Sequence, residues 1–377
     1  MSRLGTLIVV SFLLLGACGQ VDPTADSKTA GHPSPTPAPT APAVPAPAAA
    51  SKDPTPSASP VVIGTIASGL DVPWGVAFLP DRTALVTERD SGRVLQVSGK
   101  SVRTVGQVRE ARANGEAGLL GVAVSPSFAT DQQVFLYAST DGDNRVLRTT
   151  LRDGRLGALT PILTGIPLGS NHDGGRMLFG PDRMLYVSTG EAGRPDLAQD
   201  RGSLGGKILR ITSDGQPAPG NPDPGSPVWT WGHRNVQGLA FDSDGDLWVS
   251  EFGQDAFDEL NLIEKGRNYG WPMVEGKGGR PGLQDPQVTW STDESSPSGL
   301  AFLDGRLWLG ALRGERLWRI DVNGRRASGE KGFFVGTYGR LRTVVAAPDG
   351  NLWVTTSNRD GRGHPAADDD RILLVRP

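Results

Sequence analysis

From about residue 61 onward, apolar residues come in short runs of four to six, separated by compact polar turns. Gly238 to Phe241 is followed by the turn Asp242 to Asp246 and then by Leu247 to Ser250. An Asp-Gly step between two apolar runs predicts a β-hairpin, because glycine supplies the positive φ the turn requires. The same unit recurs at Gly75-Val-Ala-Phe, Gly121-Val-Ala-Val, Met177-Leu-Phe, Gly299-Leu-Ala-Phe and Val344-Val-Ala-Ala, usually followed by a second run such as Leu307-Trp-Leu or Leu352-Trp-Val. Six copies spaced by roughly 45 to 60 residues lie in the range in which propeller blades repeat. Further short apolar runs follow most copies: Arg93 to Val97, Lys207 to Ile211, Leu317 to Ile320 and Ile372 to Val375. Two strands from the repeated unit and two after it make a four-stranded blade. The pattern therefore predicts an all-β chain, a six-bladed β-propeller with four antiparallel strands per blade. Either Val61 to Ala67 or the C-terminal strand would close the ring. No run has the length and period of an amphipathic helix, and a β-sandwich does not accommodate six like units.

The first 60 residues follow a different pattern. Arg3, the apolar run Leu4 to Leu15 and the small-residue step Leu15-Gly-Ala-Cys18 read as a signal peptide over 1–17. The run is too short to span a bilayer. Cys18 is the only cysteine in the chain, so no internal disulfide can form. Its position after Gly-Ala resembles a bacterial lipobox and predicts lipidation at Cys18, an anchor rather than a span. Residues 18–60 are rich in Pro, Ala, Ser and Thr and read as a disordered tether. The propeller then occupies 61–377, held extracytoplasmically at the bacterial membrane by lipid alone.

Composition narrows the function. A net charge of −3, with no Lys/Arg cluster interleaved with aromatics, argues against a nucleic-acid partner. Trp248, Trp308 and Trp353 share one repeat phase and read as core. Chemistry must come from positions that break the repeat. In a propeller the innermost strands run along the central channel, so the residues just before them converge on one mouth. That phase holds Asn114-Gly-Glu116, Asn171-His172-Asp173, His233-Arg234-Asn235, Ser295-Ser296 and Arg340-Leu-Arg342. The segments after the second strands, Glu251 to Asp255 and Leu312-Arg313, lie at the same end. One mouth thus collects Arg234, Arg313, Arg340 and Arg342 with His172, Asn171, Asn235 and Glu116. Convergent guanidinium groups imply an anionic ligand, since four like charges repel unless an anion lies among them. A histidine beside them is a candidate general base. His233, next to Trp231, reads as structural.

Other chemistries lack their motifs. There is no G-x-S-x-G, Walker loop, H-E-x-x-H or cysteine cluster. Gly202 to Gly206 is a turn before a strand. Asp242 to Asp246 resembles a calcium loop, but its glycine is misplaced and Gly253 stands where the closing Glu belongs, so it reads as a hairpin turn. Asp368 to Asp370 reads as a solvated loop.

Pro73-Trp-Gly, Gly118-Leu-Leu-Gly, Asn171-His-Asp-Gly-Gly-Arg176, Gly232-His-Arg-Asn-Val-Gln-Gly-Leu-Ala240 and Asn268-Tyr-Gly-Trp-Pro272 resemble the soluble dehydrogenases of glucose and other aldose sugars that depend on pyrroloquinoline quinone (PQQ). The resemblance runs from about Leu70 to the C-terminus, and that family is a six-bladed propeller. It implies that His172 removes the proton of the sugar's anomeric hydroxyl while hydride passes to the quinone, yielding a lactone. It implies that Arg234 polarises the quinone carbonyl, and that Asn235, Arg313, Arg340 and Arg342 hold a cofactor with three carboxylates. The carbonyls of Gly253 and Gln254 match the family's Ca²⁺ ligands, although the glucose enzymes have proline at the second. Glu116 and Asn171 would face the substrate.

Three departures bear on specificity. Arg313 stands where the glucose enzymes have lysine, Asn171 where they have Asp, and Glu116 where they have glutamine. The chain also lacks their long insertions, which implies a more open pocket. The expectation is a monomeric aldose dehydrogenase with PQQ and Ca²⁺ and an unidentified electron acceptor. A propeller lactonase would gather carboxylates rather than arginines at the channel. A tethered sugar-binding propeller without catalysis would need no base.

Overall fold

The computed structural model describes residues 59–377; the signal peptide, Cys18 and nearly all of the tether lie outside the described residues. Six antiparallel sheets follow one another along the chain, each with a four-strand main path. The first blade is Pro73–Phe78, Ala84–Glu88, Arg93–Ser98 and Ser101–Gln107. The second is Leu119–Val124, Gln133–Ser139, Asn144–Arg152 and Thr160–Ile166, with Arg155–Leu156 pairing beside it. The third is Met177–Phe179, Leu185–Ser188, Lys207–Ile211 and Val228–Trp231, and the fourth Val236–Phe241, Leu247–Glu251, Phe257–Ile263 and Val288–Ser291. The fifth is Pro297–Leu303, Arg306–Ala311, Arg316–Asn323 and Arg326–Phe333. The last blade takes Leu341–Ala346, Leu352–Thr356 and Ile372–Arg376, and Val61–Ala67 completes it by pairing with Ile372–Arg376. The first and last strands of the described residues thus meet in one sheet, which closes the ring.

The innermost strands pack against one another in order, the sixth against the first. Glycine at one phase permits this approach. A Cβ on Gly75 would fall 2.8 Å from the Leu120 carbonyl of the next blade, and one on Gly299 would fall 2.7 Å from the Thr343 backbone. Trp248, Trp308 and Trp353 are buried between blades, as their repeat phase predicts.

The hairpin turns show why the repeat tolerates variation. Gly245, Gly305 and Gly350 have positive φ there, while Arg82 and Arg183 hold the same position at φ 68° and 64°. The preceding aspartates stabilise these turns: Asp81 accepts from the Thr83 N–H and Asp182 from the Met184 N–H, at 2.9 and 3.0 Å. Asp242 accepts likewise from the Asp246 N–H at 2.9 Å and from Trp248 Nε1 at 2.7 Å, as a hairpin turn would.

One expectation fails. Asp369 and Asp370 are buried, not solvated. Asp370 accepts from the Asn358 N–H at 2.6 Å, and Asp369 from Asn358 Nδ2 at 2.9 Å and Arg371 Nε at 3.0 Å. The charge run read as solvent-facing because its main partner, Asn358, lies more than ten residues away in sequence.

Candidate active site

The loops that precede the innermost strands meet at one end of the channel, as their phase predicts. His172 leads into the third blade and takes φ 60°, a left-handed conformation uncommon for non-glycine residues, though less so for histidine. Its carbonyl accepts from the Ala192 N–H at 3.0 Å, and the space for that turn exists because Gly190 lacks a Cβ that would strike the His172 carbonyl. The ring is fixed on both sides. Nδ1 lies 2.5 Å from Glu191 Oε1, and Nε2 lies 3.3 Å from Asn171 Nδ2. The Glu191 side chain is 1% exposed, and its Oε2 has no hydrogen-bond partner. An ionised Glu191 accepts from Nδ1–H, which leaves the lone pair on Nε2.

Glu116 reaches the same place from the loop before the second blade. Its Oε2 accepts from the His172 N–H and from Asn235 Nδ2, each at 3.2 Å, and its Oε1 pairs with Arg362 at 3.0 Å. Its carboxyl is held below the ordinary range: burial opposes ionisation, but Arg362 and His172 outweigh it. Asp173, next to the histidine, behaves oppositely. Burial pushes it up to about 7, against hydrogen bonds from Asn144 Nδ2 and the Gly169 N–H, and its Oδ2 has no partner.

Arg234 brings a cation whose charge is felt by Glu191. Its backbone carbonyl accepts from the Glu191 N–H at 2.9 Å, its N–H donates to Glu251 Oε1 at 2.5 Å, and its guanidinium lies 5.4 Å from the Trp271 ring. Nη1 reaches the Phe252 carbonyl at 3.4 Å, while Nε is buried and donates to nothing. Asn235 is wholly buried, bridging Glu116 and the Gly174 N–H. His233 is structural, as read: Nδ1 meets Glu251 at 2.8 Å, Nε2 meets Thr230 at 2.9 Å, and the ring stacks on Tyr269.

The four arginines do not form one unanswered ring. Arg340 and Arg342 are buried and share Asp360 Oδ2, at 3.0 and 3.1 Å. Arg342 also donates to Ser357 Oγ at 2.9 Å and Gln237 Oε1 at 3.2 Å. Arg313 is 62% exposed on its side chain and ion-paired with Asp293. The chain itself therefore supplies an anion between Arg340 and Arg342.

Gly253 and Gln254 lie on the loop after Glu251. The Gln254, Asp255, Ala256 and Phe257 N–H groups all converge on Glu275 Oε1, between 2.6 and 3.1 Å. No group of three or more His, Cys, Asp or Glu side chains suited to a metal occurs among the described residues, so a cation here would depend on main-chain oxygens. A cavity of about 380 Å³ is at the other end of the channel, between the far ends of the innermost strands. Its walls are largely apolar and only Arg176 brings charge to it.

Sequence reading missed Glu191 and Asp360. Glu191 follows a second strand, in the segment that corresponds to Glu251 to Asp255, so that segment would have found it. Asp360 lies in a polar stretch with no repeat counterpart.

The sequence profile of the glucose/sorbosone dehydrogenase family matches residues 70–374. The chain is 30% identical over 339 residues to aldose sugar dehydrogenase YliI of Escherichia coli K12, covering 80% of this chain and 91% of that protein. Among solved structures, the PQQ-bound aldose sugar dehydrogenase of Streptomyces coelicolor is 52% identical, with a TM-score of 0.83 over 84% of this chain and 98% of that one. A glucose dehydrogenase described as a putative oxidoreductase from Thermus thermophilus is 43% identical, with a TM-score of 0.79 over 83% and 98%.

Proposed function

The chain belongs to the glucose/sorbosone dehydrogenase family, and from that premise we propose that it is a PQQ-dependent dehydrogenase oxidising the anomeric hydroxyl of aldose sugars to lactones. The carrying observation is the pairing of a histidine locked to a buried carboxylate with a neighbouring arginine whose buried Nε–H has no acceptor. A quinone oxygen or carboxylate suits that orphaned donor. The donor set of the mouth thus fits the cofactor.

PQQ, when bound, supplies the two-electron acceptor for the substrate's hydride. His172 Nε2 takes the hydroxyl proton, and Glu191 holds the ring in the required tautomer and stabilises the imidazolium that results. Arg234 presents its buried Nε–H to an acceptor oxygen, and a donor removed from water counts most. Arg340 and Arg342, oriented by Asp360, add positive field for an anionic cofactor, and Arg313 contributes from the rim. Asn235 acts by keeping Glu116 and the His172 loop in register, and Asn171 faces the substrate beside Nε2. Ca²⁺ would bind the Gly253 and Gln254 carbonyls, which accept no backbone hydrogen bond among the described residues. The lipid anchor at Cys18 belongs to the same proposal, supported by the sole cysteine following Leu15-Gly-Ala.

Reconstituting purified protein with PQQ and Ca²⁺, then following dye reduction across a panel of aldoses, tests the proposal. Saturable PQQ binding with aldose-dependent turnover supports it. Saturable sugar binding without turnover would favour a non-catalytic sugar-binding propeller.

A further inference from the structure

Arg362 enters the mouth from the last blade, on the loop between Leu352–Thr356 and Ile372–Arg376. It reaches across 246 residues of sequence to Glu116, with Nη1 at 3.0 Å from Oε1. That loop has two tasks. Asp360 clamps Arg340 and Arg342, and its Oδ1 accepts from the Arg362 N–H at 3.0 Å. Arg362 is thereby aimed from a buried anchor, although its own side chain is 55% exposed. Its Nε and Nη2 have no partner among the described residues and remain free to donate.

Glu116 is the complementary half. Its Oε2 is spent on the His172 N–H and Asn235, which fixes the carboxylate beside the loop that carries the base. Its side chain keeps 13% of its surface, so it is not sealed off from the mouth. Acceptor and donors therefore stand side by side next to His172. A fixed carboxylate beside a guanidinium with free N–H groups matches two neighbouring hydroxyls, one donating to the carboxylate and one accepting from the guanidinium. The pair is formally neutral, so it suits an uncharged polyol better than a sugar acid.

We propose that Glu116 and Arg362 form a hydroxyl clamp for a neutral aldose, with Arg362 a specificity-determining residue that reads ring hydroxyls away from the reacting carbon. This rests on the reading of the mouth as an aldose site. A site built to hydrogen-bond a hydroxyl discriminates against the analogue that lacks it, because its polar groups are then left unpaired. With Arg362 half exposed, the expected discrimination is about tenfold, the lower end for a contact to a charged group.

The test measures kcat/KM of PQQ- and Ca²⁺-loaded protein on glucose and its 2-, 3-, 4- and 6-deoxy analogues, in wild type, Arg362→Ala, Arg362→Lys, Glu116→Gln and the double variant Glu116→Gln/Arg362→Ala. Wild type should disfavour one or two deoxy sugars by about tenfold. Arg362→Ala should bring those ratios within about threefold, chiefly through KM, with Arg362→Lys intermediate. The double variant should lose less than the two single effects combined, since the residues act as one unit. Unchanged deoxy ratios in Arg362→Ala, fully additive effects, or a uniform rise in kcat/KM on every sugar would each overturn the clamp; the last would make the pair a latch over the mouth. If loaded wild type oxidises no aldose at all, the parent reading falls instead.

Discussion

Replacing Glu191 with glutamine is the most informative perturbation of the His172 dyad, because the surroundings dictate how the amide must sit. Glu191 Oε1 is 2.5 Å from His172 Nδ1, and its Oε2 is buried with no partner. A glutamine can place either its oxygen or its NH₂ against Nδ1. With the oxygen there, the NH₂ falls into the partnerless position and becomes a buried orphaned donor, costing about 1 to 3 kcal/mol. With the NH₂ against Nδ1, the donor is satisfied and the less costly orphan is a carbonyl oxygen. The second orientation should therefore dominate. It forces Nδ1 to accept and moves the ring proton to Nε2, the atom proposed to take the substrate's proton. In a Ser-His-Asp triad, a histidine held in the wrong tautomer costs about 10⁴-fold in kcat, so a loss of roughly 10³ to 10⁴ is expected here. Even without the tautomer flip, losing one charge-assisted hydrogen bond to the imidazolium would cost about 1.5 to 3 kcal/mol, or about 10- to 100-fold. The assay is kcat of PQQ-loaded Glu191→Gln on the best aldose, with a PQQ titration alongside. Affinity for PQQ should stay within about threefold of wild type, since the Glu191 side chain bonds the base and its backbone hydrogen bond to Arg234 is kept in the variant. A kcat within about threefold of wild type would refute the assignment of His172 as the base through this dyad.

Arg234→Ala should weaken PQQ binding by about 10- to 100-fold, the value of a charge-assisted contact, and equal affinity in a titration would remove Arg234 from the cofactor site. Asp173, pushed up to about 7 by burial, contributes stability that is fully present below its unfolded value near 3.8 and is lost as pH rises through about 7. The apoprotein's Tm should accordingly fall between about pH 4 and 8 more steeply in wild type than in Asp173→Asn, and equal slopes by scanning calorimetry would count against it. Cys18→Ser should move the protein from membranes to the soluble fraction on cell fractionation, and unchanged membrane association would exclude the lipid anchor.

The blade repeat was readable from the sequence because each inner strand obeys local rules: an apolar run, a glycine where the next blade approaches, and an Asp-led turn. Even where arginine replaces the turn glycine, at Arg82 and Arg183, the aspartate before it marks the turn. The convergence of His172, Glu116 and Arg234 was readable for the same reason, since the fold maps one sequence phase to one end of the channel. Long-range pairings were not readable. Glu191 and Asp360 gain their roles from partners 19 and 18 to 20 residues away, and Glu116 from one 246 away, distances over which no local pattern constrains the side chain. Asp369 and Asp370 show the same blindness, since a short acidic run looks solvated until its buried donors are known.

Asp360 also changes what the arginines mean. Convergent cations suggest a site held open until an anionic ligand neutralises it, with a correspondingly strained empty state. The structure instead gives Arg340 and Arg342 a permanent carboxylate between them, 2% exposed and held below the ordinary range by those two guanidinium groups against its own burial. The pair plus Asp360 carries one net positive charge rather than two, and most of the Arg342 N–H fork is already committed to protein. The field these residues offer a ligand is therefore directional but moderate. Arg234 is different: its Nε–H is buried without an acceptor, a group costing about 1 to 3 kcal/mol until one arrives. Loss of Arg234 should thus affect the bound state most, whereas loss of Asp360 should affect the empty protein as well, because it leaves two buried cations facing each other. The arginines that looked equivalent by count divide into one with a buried donor lacking an acceptor, two cations oriented by the fold, and the exposed Arg313.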